Sequence, residues 1–263
     1  MTGPMLDCVV LAGAPADDDL KARYNVNWRA EAPVAGRRMA DRVLDALRDS
    51  GCIRNRVLVG AFQSDAEVTV PPGGTFLENL MRGMEAAGED AEMVLVASSD
   101  IPMASGPAIR RLVEEGLSLE ADFVYPVIRK EDCERSYPGL RRTYLRLREG
   151  TFTGGNAVLI NRRFALQNRD RIQGIYQVRK QPFRLAAMIG VSTLIRALVA
   201  QKLWAGALDI PTVERAAERA IGGKLRALVC PDPEIGEDLD RLEDILVAER
   251  LLAGRAAQGE LSS

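Results

Sequence analysis

Met93-Val94-Leu95-Val96-Ala97-Ser98-Ser99-Asp100-Ile101-Pro102 is an apolar run that ends on a single carboxylate, after which a proline turns the chain. A short apolar run of this kind reads as a buried strand. In open α/β sheets, ligands lie beyond the carboxyl ends of strands. Asp100 is therefore placed either to hold a divalent cation against phosphate oxygens or to cap the turn that follows. A second candidate is Leu11-Ala12-Gly13-Ala14, where a glycine ends the first apolar run. Such a glycine lets backbone amides approach a phosphate, or simply makes an ordinary strand-to-helix turn. The spacing is neither GxxxxGK[ST] nor GxGxxG, so P-loop chemistry is not expected and the dinucleotide fingerprint is absent. Lys21, Arg23 and Arg29 lie in the loop beyond it, and Arg37 and Arg38 follow Gly36. Cations folded over a strand-end pocket suit a triphosphate, because guanidinium forks match phosphate oxygens; solvated surface charge is the other reading.

Composition narrows the chemistry further. The 263 residues contain no histidine, which excludes Ser-His-Asp and Cys-His nucleophilic sites and any His-ligated metal. Cys8, Cys52, Cys133 and Cys230 lack CxxC spacing, so neither a zinc site nor a disulfide framework is expected. A net charge of -2 from 35 basic and 37 acidic residues gives no electrostatic case for a nucleic-acid or membrane partner. The N-terminus lacks the basic segment and apolar core of a signal peptide. The longest uncharged apolar stretch, Leu185 to Ile195, is too short to span a bilayer. A cytoplasmic protein without stable membrane insertion is expected.

The elements that must hold these residues alternate along the chain. Strands are expected at Cys8–Ala12, Arg56–Gly60, the run ending at Asp100, Asp122–Pro126, Asn156–Ile160 and Leu225–Cys230. Helical spacing connects Met39, Val43, Leu44 and Leu47 ahead of Gly51. Leu77–Ala87 also reads as a helix, and Ser105 is an N-cap for one carrying Ile109, Leu112 and Val113. This β-α-β-α order predicts a three-layer α/β/α fold, Rossmann-like, with a mostly parallel sheet. One domain is expected over residues 1–253, with a helical insertion at about 183–220, a C-terminal helix from Leu242 to Leu252, and a frayed tail at 254–263.

In order, Val9-Val10-Leu11-Ala12-Gly13, Ala35-Gly36-Arg37-Arg38-Met39, Gly73-Gly74-Thr75 with Asn79, Ser99-Asp100-Ile101-Pro102, Thr153-Gly154-Gly155-Asn156 and Asp238-Leu239-Asp240-Arg241-Leu242-Glu243-Asp244 span nearly the whole chain. The set resembles the nucleotidyltransferase superfamily with the GT-A-type fold. That group includes sugar-1-phosphate nucleotidyltransferases and the molybdenum-cofactor guanylyl- and cytidylyltransferases. The resemblance implies that Leu11, Ala12 and Gly13 contact base and phosphates, and that Gly74, Thr75 and Asn79 lie near base and ribose. It implies Asp100 and Asp240 as magnesium ligands, with Asp238 a rival to Asp240 because the two share a strand face. Gly154, Gly155 and Asn156 would shape an acceptor pocket. Arg29 stands where the family has a lysine, and would steady the phosphates with Lys21 or Arg23. Gly13 is followed by Ala14-Pro15 and an acidic Asp17-Asp18-Asp19 run rather than Gly-x-Arg, and Leu242 replaces a proline. Tyr125, Arg141, Arg142 and Thr143 make a basic segment beside the acceptor glycines, which suits a phosphate monoester; a surface hairpin with solvated arginines is the other reading.

The reaction so implied is Mg²⁺-dependent transfer of an NMP from an NTP to a phosphorylated small-molecule acceptor, releasing pyrophosphate. A glycosyltransferase of the same fold would normally show Asp-x-Asp where this chain has Ser98-Ser99-Asp100. A non-catalytic nucleotide-binding protein of that fold is the other alternative.

Overall fold

A computed structural model describes residues 5–178, 196, 199–201 and 205–260. β1 (Leu6–Leu11) lies at the centre of the first half of the sheet because both of its faces are apolar. Cys8, Val10 and Ala12 pack with Val43, Leu44 and Leu47 on one face, while Val9 packs with Leu80, Met81 and Met84 on the other. That alternation is the period of two of an extended chain, and it calls for a helical layer on each side. α2 (Met39–Asp49) and α4 (Gly106–Leu117) supply one layer, and α3 (Phe76–Ala86) and α6 (Arg162–Gln167) contribute to the other. Thr75 and Ser105 cap α3 and α4 through hydroxyl oxygens that accept from Glu78 and Ala108 amides.

The main sheet has nine strands. β5 (Val68–Val70), β4 (Ile53–Val59), β1, β6 (Met93–Ser98), β10 (Ala157–Asn161), β7 (Phe123–Arg129), β9 (Gly150–Gly154) and β8 (Leu145–Leu147) follow in spatial order, and β11 (Leu225–Cys230) pairs with β7. β1 is parallel to β4 and β6, β4 to β5, and β7 to β11; β10 and β9 run against their neighbours. Seven of the nine strands thus share one direction, and the expected mostly parallel α/β/α architecture holds. The short strands β5, β8 and β9 are additions to it. A separate two-stranded ribbon joins β2 (Pro33–Val34) to β3 (Arg37–Arg38).

Three segments differ in detail from expectation. The polar stretch after Gly13 is ordered: α1 (Asp18–Tyr24) forms because Asp17 accepts from the Leu20 amide at 2.8 Å and Asp18 and Asp19 fill the first turn. The end of the expected 183–220 insertion is not one continuous helix: a new helix, α8 (Ile210–Ile221), starts there with Asp209 as N-cap and Pro211 in its first turn. Much of the expected 183–220 insertion lies outside the described residues. The last helix, α9 (Leu242–Glu260), continues past Leu252 through alanine-rich turns where fraying was expected.

α5 (Lys130–Ser136) and α7 (Arg169–Val178) are two further helices. Among the described residues no helix is long and apolar enough to cross a membrane.

Candidate functional site

The carboxyl end of β6 is fixed from both sides. The Ser98 amide donates to the Asn156 carbonyl at 2.8 Å, and the Ser99 amide to the Leu11 carbonyl at 3.2 Å. Asp100 follows directly, its side chain 14 % exposed. The Ser98 hydroxyl donates to Asp100 Oδ1, and Arg29 Nη1 donates to Asp100 Oδ2 at 3.4 Å. Burial pushes the Asp100 carboxyl above the usual carboxylate range. The Ser98 hydroxyl and the Arg29 charge oppose that shift, and the Asp240 charge adds to it.

Asp240 arrives from the far end of the chain. Residues 237–240 are an extended loop, not a strand, so Asp238 and Asp240 do not share a sheet face. The buried Leu239 between them donates its amide to the Asp100 carbonyl at 2.9 Å. That bond presents Asp240 to the same guanidinium: Arg29 Nη1 also pairs with Asp240 Oδ1. Asp238 takes a different partner, Arg142. The structure therefore brings Arg29, Asp100 and Asp240 together, and leaves Asp238 outside that cluster.

Arg29 is held by the ordered loop. Its amide donates to the Ala14 carbonyl at 3.0 Å, and the Ala16 amide to the Asn27 carbonyl at 2.9 Å, which folds the strap back over β1. Leu20 anchors α1 by full burial beside Met39, Leu239 and Ile245. The acidic run after Gly13 thus acts as a helix start, and the helix carries Lys21 and Arg23 away from the cluster. Lys21 pairs with Asp18 at 3.6 Å and Arg23 is exposed, so neither joins Asp100 and Asp240.

On the nucleotide side, Gly13 meets the loop before α3. A Cβ on Gly13 would stand 2.5 Å from Pro72 Cβ and 2.8 Å from Asn79 Nδ2, so only glycine allows this approach. Asn79 is buried and its Oδ1 accepts from the Gly73 amide at 2.5 Å. The Gly74 amide donates to Glu78 Oε2 at 2.6 Å, and Thr75 caps the helix. Leu11, Ala12, Gly13, Gly74, Thr75 and Asn79 therefore belong to one neighbourhood along the β1 edge.

Across β6 from it, the Gly155 amide donates to the Pro126 carbonyl at 2.9 Å, and the Asn156 amide to the Ile235 carbonyl at 2.8 Å. A cleft of about 340 Å³ opens there, lined by Tyr125, Arg142, Thr143, Gly154, Asn156 and Asp240 among others. Arg142 is 9 % exposed and pairs with Asp238 and, at 3.6 Å, with the buried Glu237. Burial pushes the Glu237 carboxyl up, and Arg142 opposes it. Arg142 is thus not the free cation its sequence suggests, although its buried Nη2 has no hydrogen-bond partner among the described residues. Glu237 is a residue that motif reading overlooks; the one signal is an acidic residue adjoining the Asp238–Asp244 run.

Donor chemistry shows whether a divalent cation suits the place. Asp100, Glu237, Asp238, Asp240 and Asp244 stand in or under the cleft against Arg29, Arg141 and Arg142, a surplus of negative charge. Two carboxylates converge on one guanidinium nitrogen, where the fold demands a positive charge. Among the described residues no group of three His, Cys, Asp or Glu side chains could close a full shell. Mg²⁺ fits this set, since it binds through one or two carboxylates and completes its shell with phosphate oxygens and water. The four cysteines are free and buried; burial pushes the Cys133 thiol, near Arg142 and Glu237, up to about 12.

Solved structures share this arrangement of strands. A hypothetical transferase from Thermus thermophilus is 34% identical, with a TM-score of 0.81, over 92% of this chain and 100% of that one. A 2-C-methyl-D-erythritol 4-phosphate cytidylyltransferase, also from Thermus thermophilus, is 15% identical, with a TM-score of 0.53 over 95% and 100%. A CMP:2-keto-3-deoxy-manno-octonic acid synthetase complexed with CTP is 10% identical, with a TM-score of 0.58 over 95% and 99%. At such identities the last two speak for the fold alone. No curated protein matches the chain. The model of the MobA-like NTP transferase domain matches residues 8–198, which carry the β1 glycine turn, Arg29, Asp100 and the acceptor-side glycines. The chain belongs to the MobA-like NTP transferase domain family.

Proposed function

We propose that the protein transfers an NMP from an NTP to a phosphorylated small-molecule acceptor and releases pyrophosphate. The observation that carries this reading is the convergence of Asp100 and Asp240 on Arg29, between a glycine-lined edge and a separate polar cleft. Leu11, Ala12, Gly13, Gly74, Thr75 and Asn79 would hold base and ribose. Arg142, Thr143, Gly154, Gly155 and Asn156 would receive the acceptor. Asp100 and Asp240 would hold Mg²⁺, which when bound neutralises phosphate charge.

The chemistry needs no general base. A phosphate monoester has a second pKa of about 6, so its oxygens are already largely anionic near neutrality. One acceptor oxygen attacks the α-phosphorus, and the bond from that phosphorus to the α,β-bridging oxygen breaks. The electron pair leaves with pyrophosphate, so charge and atoms balance without proton transfer. The protein contributes position and fixed charge. Arg29 is the cation nearest the two carboxylates and would move its fork onto phosphate oxygens as they arrive.

Pyrophosphate release from Mg-NTP with pools of phosphate monoesters tests the proposal. Asp100→Asn and Asp240→Asn are each expected to lower turnover by about 10²-fold or more. Asp238→Asn should leave cation binding intact. Full turnover in Asp100→Asn, or no pyrophosphate with any acceptor, overturns it.

A further inference from the structure

The acceptor cleft does not end in polar walls. Behind it lies a cavity of about 350 Å³ lined by Leu11, Phe76, Val96, Phe123, Val158 and Ile172, within the size range of small-ligand sites. Its polar rim is Ser98 and Asn156, the same residues that adjoin Asp100 and the acceptor loop. A second apolar cavity of about 290 Å³, lined by Val127, Leu147, Phe152, Ile210 and Val213, lies along the next strands. Tyr125 lines both apolar cavities and the polar cleft.

The sequence produces this junction locally. Phe123, Tyr125 and Val127 alternate onto one face of β7, and none is fully buried, whereas Val124 and Ile128 on the other face are. The Phe123 and Tyr125 rings stack at 6.2 Å. Gly154 leaves room for the Tyr125 hydroxyl, which a Cβ at that position would overlap. An aromatic ring with an apolar body and a polar tip thus stands where the polar cleft turns apolar. On the polar side, Arg142 lines the cleft, and its buried Nη2 has no hydrogen-bond partner among the described residues.

Resting on the nucleotidyl-transfer reading, we propose that the acceptor is an amphipathic phosphate monoester with an aliphatic body. Its phosphate lies in the cleft beside Arg142 and Asp240, and its chain passes Tyr125 into the apolar cavity. The walls select against a sugar phosphate. A hydroxyl set against Val158 or Ile172 exchanges water for carbon, and each such loss weakens binding roughly tenfold. A methylene there gains about 0.8 kcal/mol, or about fourfold in affinity.

The test uses the full chain and a homologous probe series. Butyl, hexyl and octyl phosphate, each below its micellar concentration, and glucose 1-phosphate are titrated calorimetrically, and each is then assayed for pyrophosphate release with Mg-NTP. The expected result is a Kd that falls about 16-fold for each two-carbon step, with hexyl phosphate bound more tightly than glucose 1-phosphate. Val158→Asp should abolish the gradient and leave butyl phosphate binding nearly unchanged. Ile172→Ser, on α7, should reduce it and serves if the first variant fails to fold. Affinity independent of chain length, or a gradient untouched by both substitutions, overturns the proposal. Pyrophosphate release with glucose 1-phosphate but none of the alkyl phosphates also sinks it, while leaving nucleotidyl transfer standing. A chain-length gradient without pyrophosphate from any NTP supports the apolar subsite and removes the transferase reading instead.

Discussion

Arg29 holds two carboxylates that the proposed chemistry assigns to a cation. Its Nη1 bridges Asp100 and Asp240, and its buried Nε has no hydrogen-bond partner among the described residues. A guanidinium between two carboxylates competes with any divalent ion for the same oxygens. Arg29→Ala is therefore expected to tighten Mg²⁺ binding to the nucleotide-free protein, measured calorimetrically. The same variant should release pyrophosphate about 10²-fold more slowly, because a fixed cation at the transferring phosphates is lost. Weaker Mg²⁺ binding in Arg29→Ala would mean that the arginine supports the carboxylates rather than competing for them.

The strap from Ala14 to Arg29 shows how one short element decides what a charge can do. Asp17 starts α1, Leu20 pins it, and the chain returns to deliver Arg29 over β1. Leu20→Ala should lower unfolding stability by about 2–5 kcal/mol, seen as a reduced denaturant midpoint at unchanged slope. It should also raise the KM for NTP, since Arg29 loses its footing. The β-α-β alternation was legible because each buried strand is a short apolar run with turn residues at its ends, and Leu225–Cys230 falls where expected. α1 was not, because its seven residues bury a single leucine and carry no helical stripe. Arg142 illustrates a similar limit: a basic segment announces charge, but only packing reveals that Glu237 and Asp238 already occupy it. Asp238 and Asp240 differ by partners that lie far away in the chain, which spacing cannot express.

At the scale of the whole molecule, acid should separate function from fold. Hydrogen bonding to Arg56 holds the Glu67 carboxyl at about 2, well below its ordinary 4.5. A depressed carboxylate stabilises the fold fully above 4.5 and loses that contribution as pH falls through about 2. Asp100 has the opposite sign: its carboxyl is raised, so it takes up a proton at a pH above the ordinary 3.8, and the proposed cation seat would weaken there. Mg²⁺ binding should therefore titrate away on acidification before the melting temperature falls, and Glu67→Gln should flatten the acid limb of the melting curve alone. Coincident loss of both would contradict this. The amide of Leu239 on the carbonyl of Asp100 bears on how the protein is made. A growing chain on the ribosome can assemble β1, β4 and β6 early, yet it carries only half of its proposed cation seat until residue 240 has emerged. The proposed chemistry would thus wait for residue 240, and a polypeptide cut short of it would be an inert one.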